Sequence, residues 1–139
     1  MTIATVNVST LFPKELRAKT GARSIDQLTR VALLEKQFVK AEIDIAGLQE
    51  TRLQREGSMN ASEYTIVSAP ASKKGVGGCQ IWIRSGLCEG RPRVVEASEQ
   101  VLAIIIVDKE GRHTGAVSAH APYEAALPEA KDTFWDRLD

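Results

Sequence analysis

Three polar side chains in this sequence stand where chemistry can use them: Asn7, Glu50 and His120. Glu50 follows the run Ile43-Asp44-Ile45-Ala46-Gly47-Leu48, short and β-branched enough to be a buried strand. The run then breaks into Gln49-Glu50-Thr51-Arg52, polar residues with no Gly or Pro among them. A carboxylate at the mouth of a buried strand is expensive to desolvate unless a cation or hydrogen-bond donors meet it. A hard divalent ion such as Mg2+ takes carboxylate oxygen and keeps several waters, which leaves room for a substrate phosphate. Glu50 is the natural ligand for such an ion. Asn7 can donate its amide to a phosphoryl oxygen or help hold the carboxylate. His120 can donate a proton or a hydrogen bond to phosphoryl oxygens as charge builds there. Each residue also has a plainer reading. Glu50 with Arg52 is then a solvated strand terminus, Asn7 caps the turn after its strand, and His120 is a partly buried ring before Ala121-Pro122.

The elements that must position these residues follow from periodicity. Ile3–Val8 reads as a strand with Ala4, Val6 and Val8 on one face and Ile3, Thr5 and Asn7 on the other. Thr10–Arg23, with Pro13 and Gly21, reads as an exposed loop or short helix. A helix follows, opened by a Ser24/Gln27 capping box with Asp26 at its positive end, and carrying a stripe of Leu28, Val31, Leu34 and Phe38. Strand, helix and the strand at Ile43–Leu48 make a βαβ-like opening, which favours an α/β layered fold. Leu53–Glu63 is polar and reads as a surface loop. Tyr64–Ser68, Cys79–Arg84, Val94–Ala97, Val101–Asp108 and Thr114–His120 read as strands, the fourth of these apolar on both faces and therefore central. Gly75, Gly77 and Gly78 mark a tight, close-packed turn into Cys79; their spacing is not that of a phosphate-binding loop. Lys109-Glu110-Gly111-Arg112 reads as a hairpin loop with Gly111 at positive φ. Pro128 suits the first turn of a helix on which Leu127, Phe134 and Leu138 share a face.

Composition bounds the function. A chain of 139 residues, 43% hydrophobic and 26% charged, has the make-up of one globular domain. Its formal net charge of +0 provides no global field toward nucleic acid or membrane, so any such binding comes from a local patch. Lys73, Lys74, Arg84, Arg91 and Arg93 outnumber the single acid Glu89 in their stretch, and Arg52 and Arg55 add to that side. Glu124, Glu129, Asp132, Asp136 and Asp139 concentrate at the other end of the sequence. This segregation suits a basic face for a nucleic-acid backbone and equally suits ordinary solvated loops. Cys79 and Cys88 have no metal or redox spacing and point to free thiols in a reducing compartment, Cys79 as a small buried hydrophobe. No secretory signal and no membrane-length apolar run is visible, so the expected setting is intracellular, nuclear or cytoplasmic. Zinc and serine-nucleophile motifs are absent.

Taken together, Asn7 at the end of the opening strand, LQETR at Leu48–Arg52, the Gly-rich turn into a strand at Gly75–Ile83, VSAHAP at Val117–Pro122 and FWDRL at Phe134–Leu138 carry a resemblance. They resemble the endonuclease/exonuclease/phosphatase (deoxyribonuclease-like) family, most of all the endonuclease domains of non-LTR retrotransposons. The resemblance implies a four-layer α/β sandwich, two sheets face to face with helices outside, and phosphodiester hydrolysis with Mg2+ or Mn2+. It implies Glu50 as the metal ligand, Asn7 as a phosphate or carboxylate partner, and His120 where many members have Tyr. Thr51-Arg52 follow the nuclease-like version of the motif, which favours nucleic acid, most of all DNA, over phosphoinositide or sphingomyelin; from the local charge, Lys73 and Lys74 join Arg52 as candidates to meet substrate phosphate. The family's later GD-x-N and S-D-H motifs are not among these residues. Residues 1–139 are therefore expected to be a single partial domain with its C-terminal part absent, giving weak or no turnover alone. The competing expectations are a catalytically incomplete nucleic-acid-binding or remnant domain, and a lipid or nucleotide phosphatase. Uncovered apolar surface on Val101–Val107 predicts self-association or marginal folding.

Overall fold

Strand pairing divides the chain between two sheets. The computed structural model describes residues 1–8, 23–122 and 124–139, with 23–29 described by their backbone. Of the expected loop at Thr10–Arg23 only Arg23 is described, as the first residue of a helix, and the side chains of the Ser24 and Gln27 capping box and of Leu28 in the helical stripe lie outside what is described. The first sheet has five strands in the order β1-β2-β5-β4-β3: β1 Ile3–Asn7, β2 Ile45–Gln49, β5 Cys79–Arg84, β4 Tyr64–Ala69 and β3 Gly57–Asn60. β1 and β2 are parallel, and helix α1, Arg23–Lys40, connects them, so the βαβ opening is present. The other pairings in this sheet are antiparallel. The second sheet is an antiparallel meander of three strands, β6 Arg93–Ala97, β7 Val101–Val107 and β8 His113–Ala119, with β7 central as its two-faced apolar pattern predicts. Helix α2 spans Pro128–Leu138 with the proline in its first turn.

Alternation along the strands sorts side chains into two apolar clusters. Ala46, Leu48, Tyr64, Ile66 and Trp82 face α1, which contributes Val31 and Phe38; Ala4, Val6 and Val8 join from β1 as expected. The Phe38 ring meets Trp82 and Tyr64 edge-on, with centroids 5.4 and 6.1 Å away. Ile45, Val67, Cys79, Ile81 and Ile83 face the other way, onto Leu102, Ile104 and Ile106 of β7. Three layers are thus described: α1, the five-stranded sheet and the three-stranded sheet. The outward face of β7 carries Ala103, Ile105 and Val107 half-buried, and Val117 beside them is exposed.

Three expectations need correction. Leu53–Glu63 is not all loop, because Gly57–Asn60 pairs with β4. Those four residues have poor strand character, and pairing onto an open edge makes the strand where propensity does not. The strand expected at Ile43–Leu48 runs Ile45–Gln49 instead. Its first residues bond elsewhere: Ile43 N donates to Phe38 O at 3.0 Å and Asp44 N to Thr2 O at 2.8 Å. On α2 only Phe134 of the expected apolar face is buried; Leu127 precedes the helix with ψ 144° and is 72% exposed.

Candidate functional site at the ends of β2 and β8

β2 is buried on both faces and leaves the sheet in a conformation that L-residues avoid. Glu50 has φ +57° and Arg52 φ +56°, in the left-handed region that costs a side-chain-bearing residue about 1–3 kcal/mol. The neighbouring Gly-rich turn holds this path in place. Thr51 N donates to Gly78 O at 3.2 Å and Arg52 N to Gly77 O at 2.8 Å. The turn is close-packed, as expected: a Cβ on Gly77 would lie 2.5 Å from Glu99 O, and one on Gly78 2.6 Å from Thr51 Oγ1. Gly78 N in turn donates to Glu99 O at 2.7 Å, and His120 N to Gln100 O at 2.9 Å. The connection between β6 and β7 thereby touches both the glycine turn and the residue after β8, drawing Glu50 and His120 to one end of the molecule.

The partner that the Glu50 carboxylate demands comes from within the chain. Oε1 of Glu50 lies 3.0 Å from His120 Nδ1, and Oε2 lies 3.5 Å from Arg52 Nε. The Glu50 side chain is 16% exposed and His120 42%, so the carboxylate is recessed beneath a ring that reaches solvent. Arg52 Nε is buried and makes no hydrogen bond, so at 3.5 Å it acts on Glu50 as a nearby charge and not as a donor. With Nδ1 turned to the carboxylate, the outer nitrogen of His120 is left to accept or donate a proton.

Asn7 sits at the tip of β1, register partner of Gln49, and Val8 N donates to Gln49 O at 3.1 Å. Its exposed side chain shares the face of Ile3 and Thr5. Asn7 closes β1, and Glu50 and His120 follow β2 and β8, at strand ends on the same edge of the molecule. Lys73 and Lys74 are exposed on the turn before Gly75, which runs beside Leu53 through Ala71 N to Leu53 O at 2.7 Å. Neither lysine pairs with Glu50 among the described ion pairs. The basic run does not form one face. Arg84 lies at the far end of β5, 3.7 Å from Asp44, and Arg93 pairs with Ile105 away from the His120 end of β7.

Two site residues escape the sequence reading, Gln49 and Ser118. Gln49 belongs to the polar quartet but is only 7% exposed, and Thr51 is 0% exposed with its Oγ1 unpaired, so the quartet is not a solvated end. The signal was period two: Gln49 continues the Ile45, Gly47 face of β2, which looks at the second sheet. Gln49 Nε2 donates to Ser118 Oγ at 2.9 Å, Ser118 Oγ to Leu48 O at 3.2 Å, and Thr5 Oγ1 to Gln49 Oε1 at 3.2 Å.

Cys79, fully buried beside this network, is the small hydrophobe that was expected. Burial first, and then the charge of Glu50, push its thiol from 9.0 up to about 12. A raised pKa means that the folded state keeps a proton which the unfolded chain releases. The stability this contributes is complete below pH 9, the unfolded value, and is lost as pH rises toward 12. Urea unfolding between pH 8 and 11 should show a steeper alkaline loss in the wild type than in Cys79→Ala. Equal slopes would remove Cys79 from the account.

For a divalent ion, the oxygen donor placed by the described contacts is the Glu50 carboxylate, with Asn7 at the neighbouring strand tip. No group of three or more His, Cys, Asp and Glu gathers among the described residues. That donor set fits Mg2+ or Mn2+ only in the mode where one carboxylate anchors the ion and water and substrate phosphate complete its shell.

No family model and no curated protein matches this sequence. Among solved structures, the AP endonuclease LMAP from Leishmania major matches 98% of this chain with a TM-score of 0.60 at 16% identity. The fold is deoxyribonuclease-like. The match spans 45% of that endonuclease, so this chain corresponds to less than half of its length. No described helix is long and apolar enough to cross a membrane.

Proposed function

We propose that this chain is the N-terminal part of a divalent-metal-dependent phosphodiesterase domain, an endonuclease acting on DNA, of the retrotransposon type that its LQETR and VSAHAP stretches resemble. The observation that carries the proposal is the recessed Glu50 carboxylate, flanked by His120 at 3.0 Å and Arg52 at 3.5 Å, at one end of a deoxyribonuclease-like fold. Glu50 is the residue that would hold Mg2+ or Mn2+, with Asn7 beside it. Bound there, the ion would supply positive charge to a scissile phosphate and lower the pKa of a bound water. His120 presents its outer ring nitrogen to an attacking water or a leaving oxygen, and its Nδ1 contact to Glu50 holds the ring for that work. Lys73 and Lys74, exposed on the turn beside Leu53, would meet the DNA backbone as charges. The two free thiols suit an intracellular setting, nuclear or cytoplasmic.

Purified protein with Mg2+ or Mn2+ should nick supercoiled plasmid slowly, EDTA should stop it, and Glu50→Ala should lower the rate by about 10²-fold or more. Nicking by Glu50→Ala at the wild-type rate would sink the assignment. DNA binding that is salt-sensitive but indifferent to Glu50, with no nicking at all, would favour the alternative of a binding or remnant domain.

Self-association is part of the same proposal. β1 is one edge of the first sheet and β8 one edge of the second, and a cleft of about 450 Å3 between them is lined by Ile3, Thr5, Gly47, Gln49 and Val117. Ile3 is 69% exposed and Val117 59%, surface that strand edges readily pair over. Light scattering should return a mass above the 15.2 kDa monomer, and a monodisperse monomer at millimolar concentration would count against it.

A further inference from the structure

Glu50 and His120 belong to different sheets. β2 ends at Gln49 and β8 at Ala119, and the two strands share no ladder. What lies between the sheets is mostly Ile, Val and Leu, and apolar contact is non-directional, so it resists separation more than sliding. The bonds from Gly78 N and His120 N to the β6–β7 connection bring the two ends together, but the 3.0 Å contact from Glu50 to His120 also needs a directional link between β2 and β8 themselves.

We infer that Gln49 and Ser118 are positioning residues that clamp the two sheets so that Glu50 and His120 meet. Gln49 is the residue before Glu50, and Ser118 stands two before His120. The Gln49 amide takes a hydrogen bond from Thr5 Oγ1 at 3.2 Å and gives one to Ser118 Oγ at 2.9 Å. Ser118 Oγ donates a hydrogen bond to Leu48 O at 3.2 Å, the carbonyl two residues before Glu50. This chain of bonds crosses from β1 through β2 to β8 in a buried space, with Gln49 7% and Ser118 2% exposed. Gly47 makes the approach close enough: a Cβ there would sit 3.2 Å from Ser118 Oγ. A polar pair placed in an otherwise apolar sheet interface gives up dry packing. What it adds is one fixed register of β8 against β2, immediately under the two residues that pair.

The inference rests on the reading of Glu50 and His120 as the working pair, and the test separates the two. The variants are Ser118→Ala and Gln49→Met, which remove the bond from either side while keeping side-chain volume close. The first readout is the 15N NMR signature of His120 Nδ1, calibrated on Glu50→Gln, in which the carboxylate partner is lost. Both variants should keep a cooperative melt while the His120 signal moves to its Glu50→Gln position. A His120 signal unchanged from wild type in both overturns the inference. So does failure of both to fold, which would make the bonds structural only; if one alone fails to fold, the other decides. The second readout is plasmid nicking. Where the wild type nicks, kcat should fall about tenfold or more with KM for DNA little changed, since small misplacements at a reacting centre cost rate before binding. A change in KM alone counts against positioning. Absence of nicking in the wild type would fail the proposed function and leave the NMR criterion standing.

Discussion

Replacing Gly78 by alanine should destabilise the protein by about 3 kcal/mol or more and dislodge Glu50. Gly78 has φ +91°, and a Cβ there would stand 2.6 Å from Thr51 Oγ1 and 3.3 Å from Arg52 N. The left-handed backbone alone costs a residue with a Cβ about 1–3 kcal/mol. Forcing an atom into a packed site typically adds about 1–3 kcal/mol. Thr51 has nowhere to retreat, because it is fully buried and its backbone N–H is held by Gly78 O itself. The displaced atoms belong to the two residues that follow Glu50 out of β2, so cation-dependent nicking should disappear with stability. Gly75→Ala is the internal control. It shares the positive φ, at +72°, but has nothing within 4 Å of the new Cβ, so it should show only the backbone cost. Urea unfolding of the two variants side by side gives the answer. If Gly78→Ala is no worse than Gly75→Ala, the close packing of the glycine turn on Thr51 is not what shapes the site.

The second large effect is expected far from the site. Phe38→Ala should cost about 3–5 kcal/mol, the range for removing a buried aromatic ring from a core. Phe38 is 7% exposed and is the side chain by which α1 meets Tyr64 and Trp82, with ring centroids 6.1 and 5.4 Å away. Without it the α1 face of the first sheet keeps Val31 and the half-buried Leu34 as anchors. Tyr64 would also lose a wall of the pocket in which its hydroxyl donates to Ile43 O at 2.6 Å, just ahead of β2. For a domain of this size such a loss lowers Tm by on the order of 10 °C. Leu33→Ala on the same helix, 57% exposed, should shift stability by less than about 0.5 kcal/mol. A Phe38→Ala melt near wild type would mean that α1 is not what covers this face.

Period-two and period-3.6 patterns carry most of the fold. Ile3, Thr5 and Asn7 against Ala4, Val6 and Val8, the stripe through Val31 and Phe38, and the two-faced Val101–Val107 were legible because burial imposes those periods on any chain that folds this way. β3 was not legible: Gly57-Ser58-Met59-Asn60 has no strand pattern, and only the open edge of β4 makes it one. The end of β2 was half legible. Its sequence said that Glu50 must be met by a cation or donors, since a recessed carboxylate has few other ways to be tolerated. It could not say that a histidine 70 residues on would come within 3.0 Å, nor that Arg52 would approach only to 3.5 Å. Nor could it say that Gln49 and Thr51 turn inward while Glu50 and Arg52 adopt positive φ.

The sequence by itself determined the elements other than β3, the glycine turn and the three polar residues at strand ends. Local sterics and alternation act within a few residues, and those are written along the chain. Tertiary structure alone decided which strand tips share an edge, that Arg84 is spent on Asp44 at the opposite end, and that Gln49 and Ser118 join the sheets. Those are relations between segments 40 to 70 residues apart. Their directional part, a few hydrogen bonds and one ion pair, leaves no periodic trace in the sequence.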